Sequence, residues 1–236
     1  NDERGMALGV APSRSGDLWP CILEKAVAAH CGGWDKLSGG TCIHAWRILT
    51  GCREVYNIRE KEPGHFRAYG VYNPNDERYE DLANSPQDGY QGLWPCRWPE
   101  AGGGGGLRDS VHMEDVFIKM CHWDDLNFPM CCASRVTGSD SKASEGLVDG
   151  HPFTILQIVN NCASTDFDML QLRGARGCSG LDLGDWAVGG TNWDTNKQVF
   201  EACGQPRANE GGIFWMEKKD FFRNFKTIYL CAKAMA

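Results

Sequence analysis

The chain has 236 residues, a net charge of −7 and a pI of about 5.4. That length allows one large domain or two small ones, and the acidic balance excludes a nucleic-acid binder, which would show a basic stripe. Apolar residues make up 42% of the chain, enough for a core, but no run reaches the roughly 18 apolar residues of a membrane span.

The first residues, Asn1 to Gly5, have no basic flank and no apolar stretch, so no secretory signal is expected there. The lack of an initiator Met suggests a fragment or a processed product. The 12 cysteines then read as reduced thiols of a cytoplasmic protein. No Cys-x-x-Cys pair occurs, and nothing supplies the four convergent ligands of a zinc site. Most cysteines are expected to be small buried hydrophobes.

Asp17 is placed to cap a helix over 18–31, with Trp19, Ile22, Leu23, Ala26 and Val27 at helical spacing and Gly32-Gly33 as its stop. Pro20 fits because it falls in the first turn. A second short helix is expected after Thr41, ending at Gly51. From Gly64 to Leu107 the periodicity dissolves into Asn73-Pro74, Ser85-Pro86 and the run Gly102 to Gly106. Residues 53–110 therefore read as an insertion and linker.

Ser110 is expected to cap a third helix carrying Met113, Val116, Phe117 and Met120, with His112 and His122 as surface residues flanking it. Strands are then expected over 128–134, 153–159, 169–173 and 213–216. A short helix with Phe221, Phe222 and Phe225 and a last strand over 227–231 complete the chain. Helices first and strands later predict an α+β fold: helices over 1–52 and a β-rich domain over 111–236.

Several segments carry a resemblance in a fixed order. Trp19 with Leu23-Glu24-Lys25-Ala26 is similar to the last long helix of the first calpain subdomain, and Trp34 to Gly40 to the turn after it. Gly150-His151-Pro152-Phe153 resembles the Gly-His-Ala-Tyr segment of the catalytic histidine. Leu170 to Arg173 aligns with the strand leading into Arg-Asn-Pro-Trp-Gly. Gly184-Asp185-Trp186 echoes the Gly-x-Trp after it, and Gly212 to Met216 resembles Gly-Glu-Phe-Trp-Met.

The ordered set resembles a calpain-type cysteine protease. It implies a papain-like core, in which a helical subdomain supplies the nucleophilic Cys and a β-rich one supplies His and Asn. In that chemistry a thiolate attacks the peptide carbonyl, and an imidazole activates the thiol and protonates the leaving amine. A third group fixes the imidazole's tautomer and aim. The resemblance places His151 at the general-base position, with Gly150, Arg176 and Trp186 along a substrate cleft that takes a protein or peptide chain.

Three departures stand out. The family's Gly-Asp-Cys-Trp nucleophile segment matches none of the twelve cysteines, so the missing nucleophile-bearing half becomes a candidate partner. Gly174 stands at the family Asn and has no side chain to orient His151, while Arg176 replaces the Trp that shields that contact. A cation close to His151 would disfavour its protonated form. The carboxylates that bind calcium in the family are replaced near Gly180, Val188 and Ile213, and Asp182, Asp185 and Glu210 do not match their spacing. The expectation is no metal and no cofactor. Two functions follow: part of a cysteine endopeptidase core, inactive alone, or a pseudoprotease that keeps the cleft for binding.

Overall fold

The computed structural model describes residues 12, 15–37, 40–71, 73, 75, 92–99, 110–134, 152–174, 186, 187, 189–204 and 212–235. The chain forms two compact units, Asn1–Gly51 and Cys52–Ala236. No described helix is long and apolar enough to cross a membrane.

The first unit holds helix α1 (Trp19–Cys31), a 3-10 turn (Trp34–Leu37) and helix α2 (Cys42–Thr50). Pro20 sits in the first turn of α1, where the missing N–H costs nothing, and Gly32 ends the helix at φ 91°. Its N-cap is Leu18, which offers no side-chain cap, and not Asp17. Leu18 has an αR backbone, so the helical conformation begins one residue after the acid. Thr41 caps α2 as expected: its side chain accepts from the His44 N–H at 3.3 Å.

The second unit is built on one sheet. Its strands are β1 (Val55–Glu62), β2 (His65–Val71), β3 (Leu93–Pro95), β4 (Val111–His112), β5 (Met130–Ser134), β6 (Pro152–Val159), β7 (Met169–Gly174), β8 (Ile213–Glu217) and β9 (Phe225–Cys231). The order is β3-β2-β1-β9-β5-β6-β7-β8, with β4 on β2, and every pairing is antiparallel. The fold is α+β, as the sequence implied.

The reading of 53–110 as insertion and linker is corrected here. Three sheet strands, β1 to β3, come from that segment. β1 and β2 form a hairpin turning at Pro63-Gly64, where Gly64 adopts φ 74° and its N–H donates to Glu60 at 2.9 Å. The first half of β1 is buried on both faces and its second half is charged. Neither half alternates cleanly, so the strand signal is lost. The glycine run Gly102–Gly106 lies outside the described residues.

Helices α3 (Met113–Asp125) and α6 (Lys218–Asn224) contribute to the main core with the sheet. Val116, Phe117, Met120 and Trp123 of α3 are buried at helical spacing. His112, not Ser110, caps α3 by accepting from the Glu114 N–H at 3.4 Å. Phe221 and Phe222 of α6 join the same core, while Phe225 begins β9.

Strands β7 and β8 bury both faces. Leu170, Leu172, Phe214 and Met216 enter the main core. The alternate residues Met169 and Trp215 enter a second cluster with Cys162, Trp186, Trp193, Val199 and Cys203. The last four come with α4 (Thr191–Thr195), α5 (Lys197–Ala202) and their flanks.

Lys218 ties the start of α6 to the turn between β6 and β7. Its ammonium lies 2.6 Å from Asp168 and 2.7 Å from Glu114, and its N–H donates to the Asp168 carbonyl at 2.8 Å. Burial disfavours the charged form of Lys218, but Asp168 and then Glu114 outweigh it and hold its pKa above the ordinary lysine value. A raised folded-state pKa contributes stability below the unfolded value, and that stability disappears as pH rises through the folded value.

Lys218→Met leaves the buried Asp168 carboxylate without its cation and is expected to cost about 2–4 kcal/mol near neutrality. Urea unfolding from about pH 9 to about pH 12 should show the wild type losing more stability than the variant. Parallel profiles would mean that the ion pair contributes nothing.

Candidate active site

Of the sequence-predicted site residues, Gly174 and Trp186 lie among the described residues, and Gly174 stands at one end of the β6–β7 ladder. β6 begins on Pro152, the residue after His151, and Phe153 pairs with Gly174, the last residue of β7. His151, Gly150 and Arg176 lie outside the described residues.

Gly174 is buried and extended within β7. Its neighbour Arg173 pairs with Ile213 of β8. Just before β8, Gly212 turns at φ 78°, and a Cβ placed there would lie 3.0 Å from the Gly174 carbonyl oxygen. The missing side chain of Gly212 thus lets the backbone leading into β8 approach the end of β7. The sequence marks Gly212 only as the first residue of a motif; its contact with Gly174 depends on register.

Gly212→Ala must meet both the positive φ and that carbonyl, and is expected to cost about 1–3 kcal/mol. Gly204, at φ 73° with nothing within 4 Å of its would-be Cβ, bears the conformational cost alone. The urea midpoint should fall further for Gly212→Ala than for Gly204→Ala. Equal shifts would show that the approach to Gly174 is not tight.

Three described thiols, Cys121, Cys162 and Cys203, have pKa values moved away from nucleophilicity. Burial, then the charges of Asp168, Asp125 and Asp124, pushes Cys121 up to about 12. Burial also raises Cys162 and Cys203. A catalytic cysteine needs the opposite, a thiolate favoured by an imidazolium or a helix N-terminus. Cys131 and Cys132 lie in β5, where Cys132 is fully buried and its thiol faces the Phe153 carbonyl at 3.7 Å.

Trp186, which the sequence allows as core or as cleft wall, is a core side chain of the second cluster. It is 1% exposed, and its indole N–H donates to Glu217 at 3.0 Å. Its ring meets Phe167 and Trp193 edge-on, with centroids 4.9 and 4.7 Å away. The Trp193 indole donates back to the Trp186 carbonyl at 3.0 Å. A side chain enclosed by three aromatic and polar partners offers no surface to a substrate. Among the described residues no cluster of His, Cys, Asp or Glu is placed to hold a metal; Asp182, Asp185 and Glu210 lie outside them.

The chain is similar to known proteins along nearly its whole length. The family model described as calpain family cysteine protease matches residues 3–232. Calpain-type cysteine protease DEK1 of Zea mays is 25% identical over 219 residues, covering 92% of this chain and 8% of that protein. Calpain clp-4 of Caenorhabditis elegans is 23% identical over 91% of this chain and 24% of its own length. The Calpain-2 catalytic subunit of Bos taurus is 24% identical over 96% of this chain and 26% of its own length. The chain thus spans a quarter or less of the first two of these relatives and about a quarter of the third. With the match running through both the α1 segment and the strands that bracket Gly174, the chain belongs to the calpain family of cysteine proteases.

Proposed function

We propose that this chain is the histidine-bearing portion of a calpain-like catalytic core that engages protein or peptide chains but does not hydrolyse them by itself. The carrying observation is Gly174. It closes β7 opposite Phe153, two residues after His151 in sequence, where the family resemblance puts the asparagine that aims the imidazole. A glycine donates and accepts through its backbone alone, so His151 loses the side chain that fixes its tautomer. Acid–base catalysis contributes roughly 10²–10⁴-fold to rate, and a misaimed imidazole forfeits much of it.

The nucleophile supports the same reading. Cys121, Cys162 and Cys203 are stabilised as thiols, and no cysteine of the sequence has the family's Gly-Asp-Cys-Trp setting. A pseudoprotease that retains its cleft for binding is favoured over a merely truncated enzyme by Gly174, an internal substitution that no missing segment creates. The cytoplasmic setting and the absence of a calcium requirement belong to the same proposal.

A peptidyl inhibitor with a thiol-reactive group tests it. Incubated with the purified chain, it should label no cysteine preferentially over the others, as read by peptide mass mapping, and casein should remain uncut. Stoichiometric labelling of one cysteine, with casein cleavage abolished by that labelling, would defeat the proposal.

A further inference from the structure

Away from the Gly174 end of the sheet, two thiols lie together in the second cluster. Cys162 opens the 3-10 turn Cys162–Ser164 between β6 and β7, and Cys203 caps the C-terminus of α5. Their Sγ atoms are 3.9 Å apart, though the residues are 41 positions apart in sequence. Cys162 is fully buried and Cys203 is 5% exposed. A disulfide bond is about 2.05 Å long, so closure needs a movement of about 2 Å, within the swing of two Cys side chains about their Cα–Cβ bonds.

The turn that presents Cys162 is independently unusual. Asn161, Ala163 and Ser164 have φ of 46°, 53° and 59°, left-handed values that side-chain-bearing residues rarely adopt. Such backbone persists only where its surroundings hold it. Here the Asn161 N–H donates to Asp168 at 2.9 Å, the Cys162 N–H to the Phe167 carbonyl at 2.8 Å, and the Thr165 hydroxyl to the Cys162 carbonyl at 2.6 Å. The consequence is a hairpin-turn side chain pointed inward onto a second thiol, where turn residues ordinarily face solvent.

We propose that Cys162 and Cys203 are a redox-responsive pair that closes to a disulfide under hydrogen peroxide and reopens under thiol reductants. Cys203, the more exposed, loses its proton to solvent and its sulfur attacks one peroxide oxygen. The O–O bond breaks, hydroxide leaves and takes up a proton, and Cys203 becomes a sulfenic acid. The Cys162 sulfur then attacks Cys203 Sγ. The S–O bond breaks, and the departing hydroxide leaves as water with the Cys162 proton. Together the two thiols lose two electrons, and one peroxide becomes two waters.

Burial holds both thiols above their ordinary pKa. The pair therefore responds slowly, to sustained oxidation, and is unsuited to turnover. The bond fastens the turn before β7 to α5, around the cluster that holds Trp186.

The test uses the whole chain exposed to hydrogen peroxide, with remaining free thiols alkylated before digestion and mass mapping. A crosslinked peptide joining Cys162 to Cys203 is expected, removed by dithiothreitol. The melting temperature should rise by roughly 5–10 °C on oxidation and should not rise in Cys203→Ala, nor in Cys162→Ala. Recovery of both cysteines alkylated while Cys21, Cys31 and Cys42 are oxidised would overturn the proposal. So would crosslinks confined to other pairs, or the same rise in melting temperature in either variant.

Discussion

Trp186→Ala is expected to destabilise the protein by about 3–5 kcal/mol, the largest stability loss of any single change considered for this chain. The ring is enclosed by Phe167 and Trp193, and its indole N–H holds Glu217. Truncation removes the packing of the second cluster and leaves a cavity that the aromatic neighbours fill only by leaving their own contacts. Glu217 keeps a partner, since Lys219 lies 2.8 Å from it, so the loss arises from packing more than from an orphaned carboxylate.

Trp186→Phe separates the two contributions. It retains most of the apolar volume and gives up the hydrogen bond, so it should cost about 1–2 kcal/mol. Urea unfolding checks both: the midpoint should fall at unchanged slope, further for alanine than for phenylalanine. A loss below about 1 kcal/mol for alanine would mean that Trp186 is not a core side chain.

The difference between what the sequence discloses and what it conceals follows from the range of each interaction. Val116, Phe117 and Met120 lie on one helix face within a few residues of each other, so α3 is legible. So is α2, between Thr41 and Gly51. For α1 the sequence points to the wrong cap, because an acid one residue too early looks the same in sequence as one in place.

β1 and β2 were concealed by charge. Arg59 and Arg67 face each other across the hairpin, and half of β1 lacks the apolar alternation that marks a strand. Trp186 is legible in the sequence as core or cleft wall, but not which of the two. Its enclosure depends on Phe167, Trp193 and Glu217, which arrive from three other places in the chain. The order of motifs singles out Gly174 in the sequence, and the approach of Gly212 to it is set by the β7–β8 register. The Cys162–Cys203 contact, set by a left-handed turn, has no local signature at all.

Gly174→Asn carries the second large effect, on rate. Gly174 has an extended strand backbone, so an asparagine needs no unusual φ there. Its amide would stand at the end of β7, beside the strand whose first residue follows His151, and would restore a group able to hold the imidazole's tautomer. Arg176→Trp would then replace a cation with an apolar side chain, and the loss of that positive charge would favour the imidazolium that His151 becomes on taking the thiol proton, the form that then protonates the leaving amine.

The most direct measurement is peptide hydrolysis by the chain with the family's nucleophile-bearing segment supplied in trans, comparing the unmutated form with Gly174→Asn. The unmutated mixture should stay near background, Gly174→Asn should raise the rate about 10²-fold or more, and Arg176→Trp should raise it further. Rapid hydrolysis by the unmutated mixture, with no gain from Gly174→Asn, would contradict the account and would mean that another side chain orients His151.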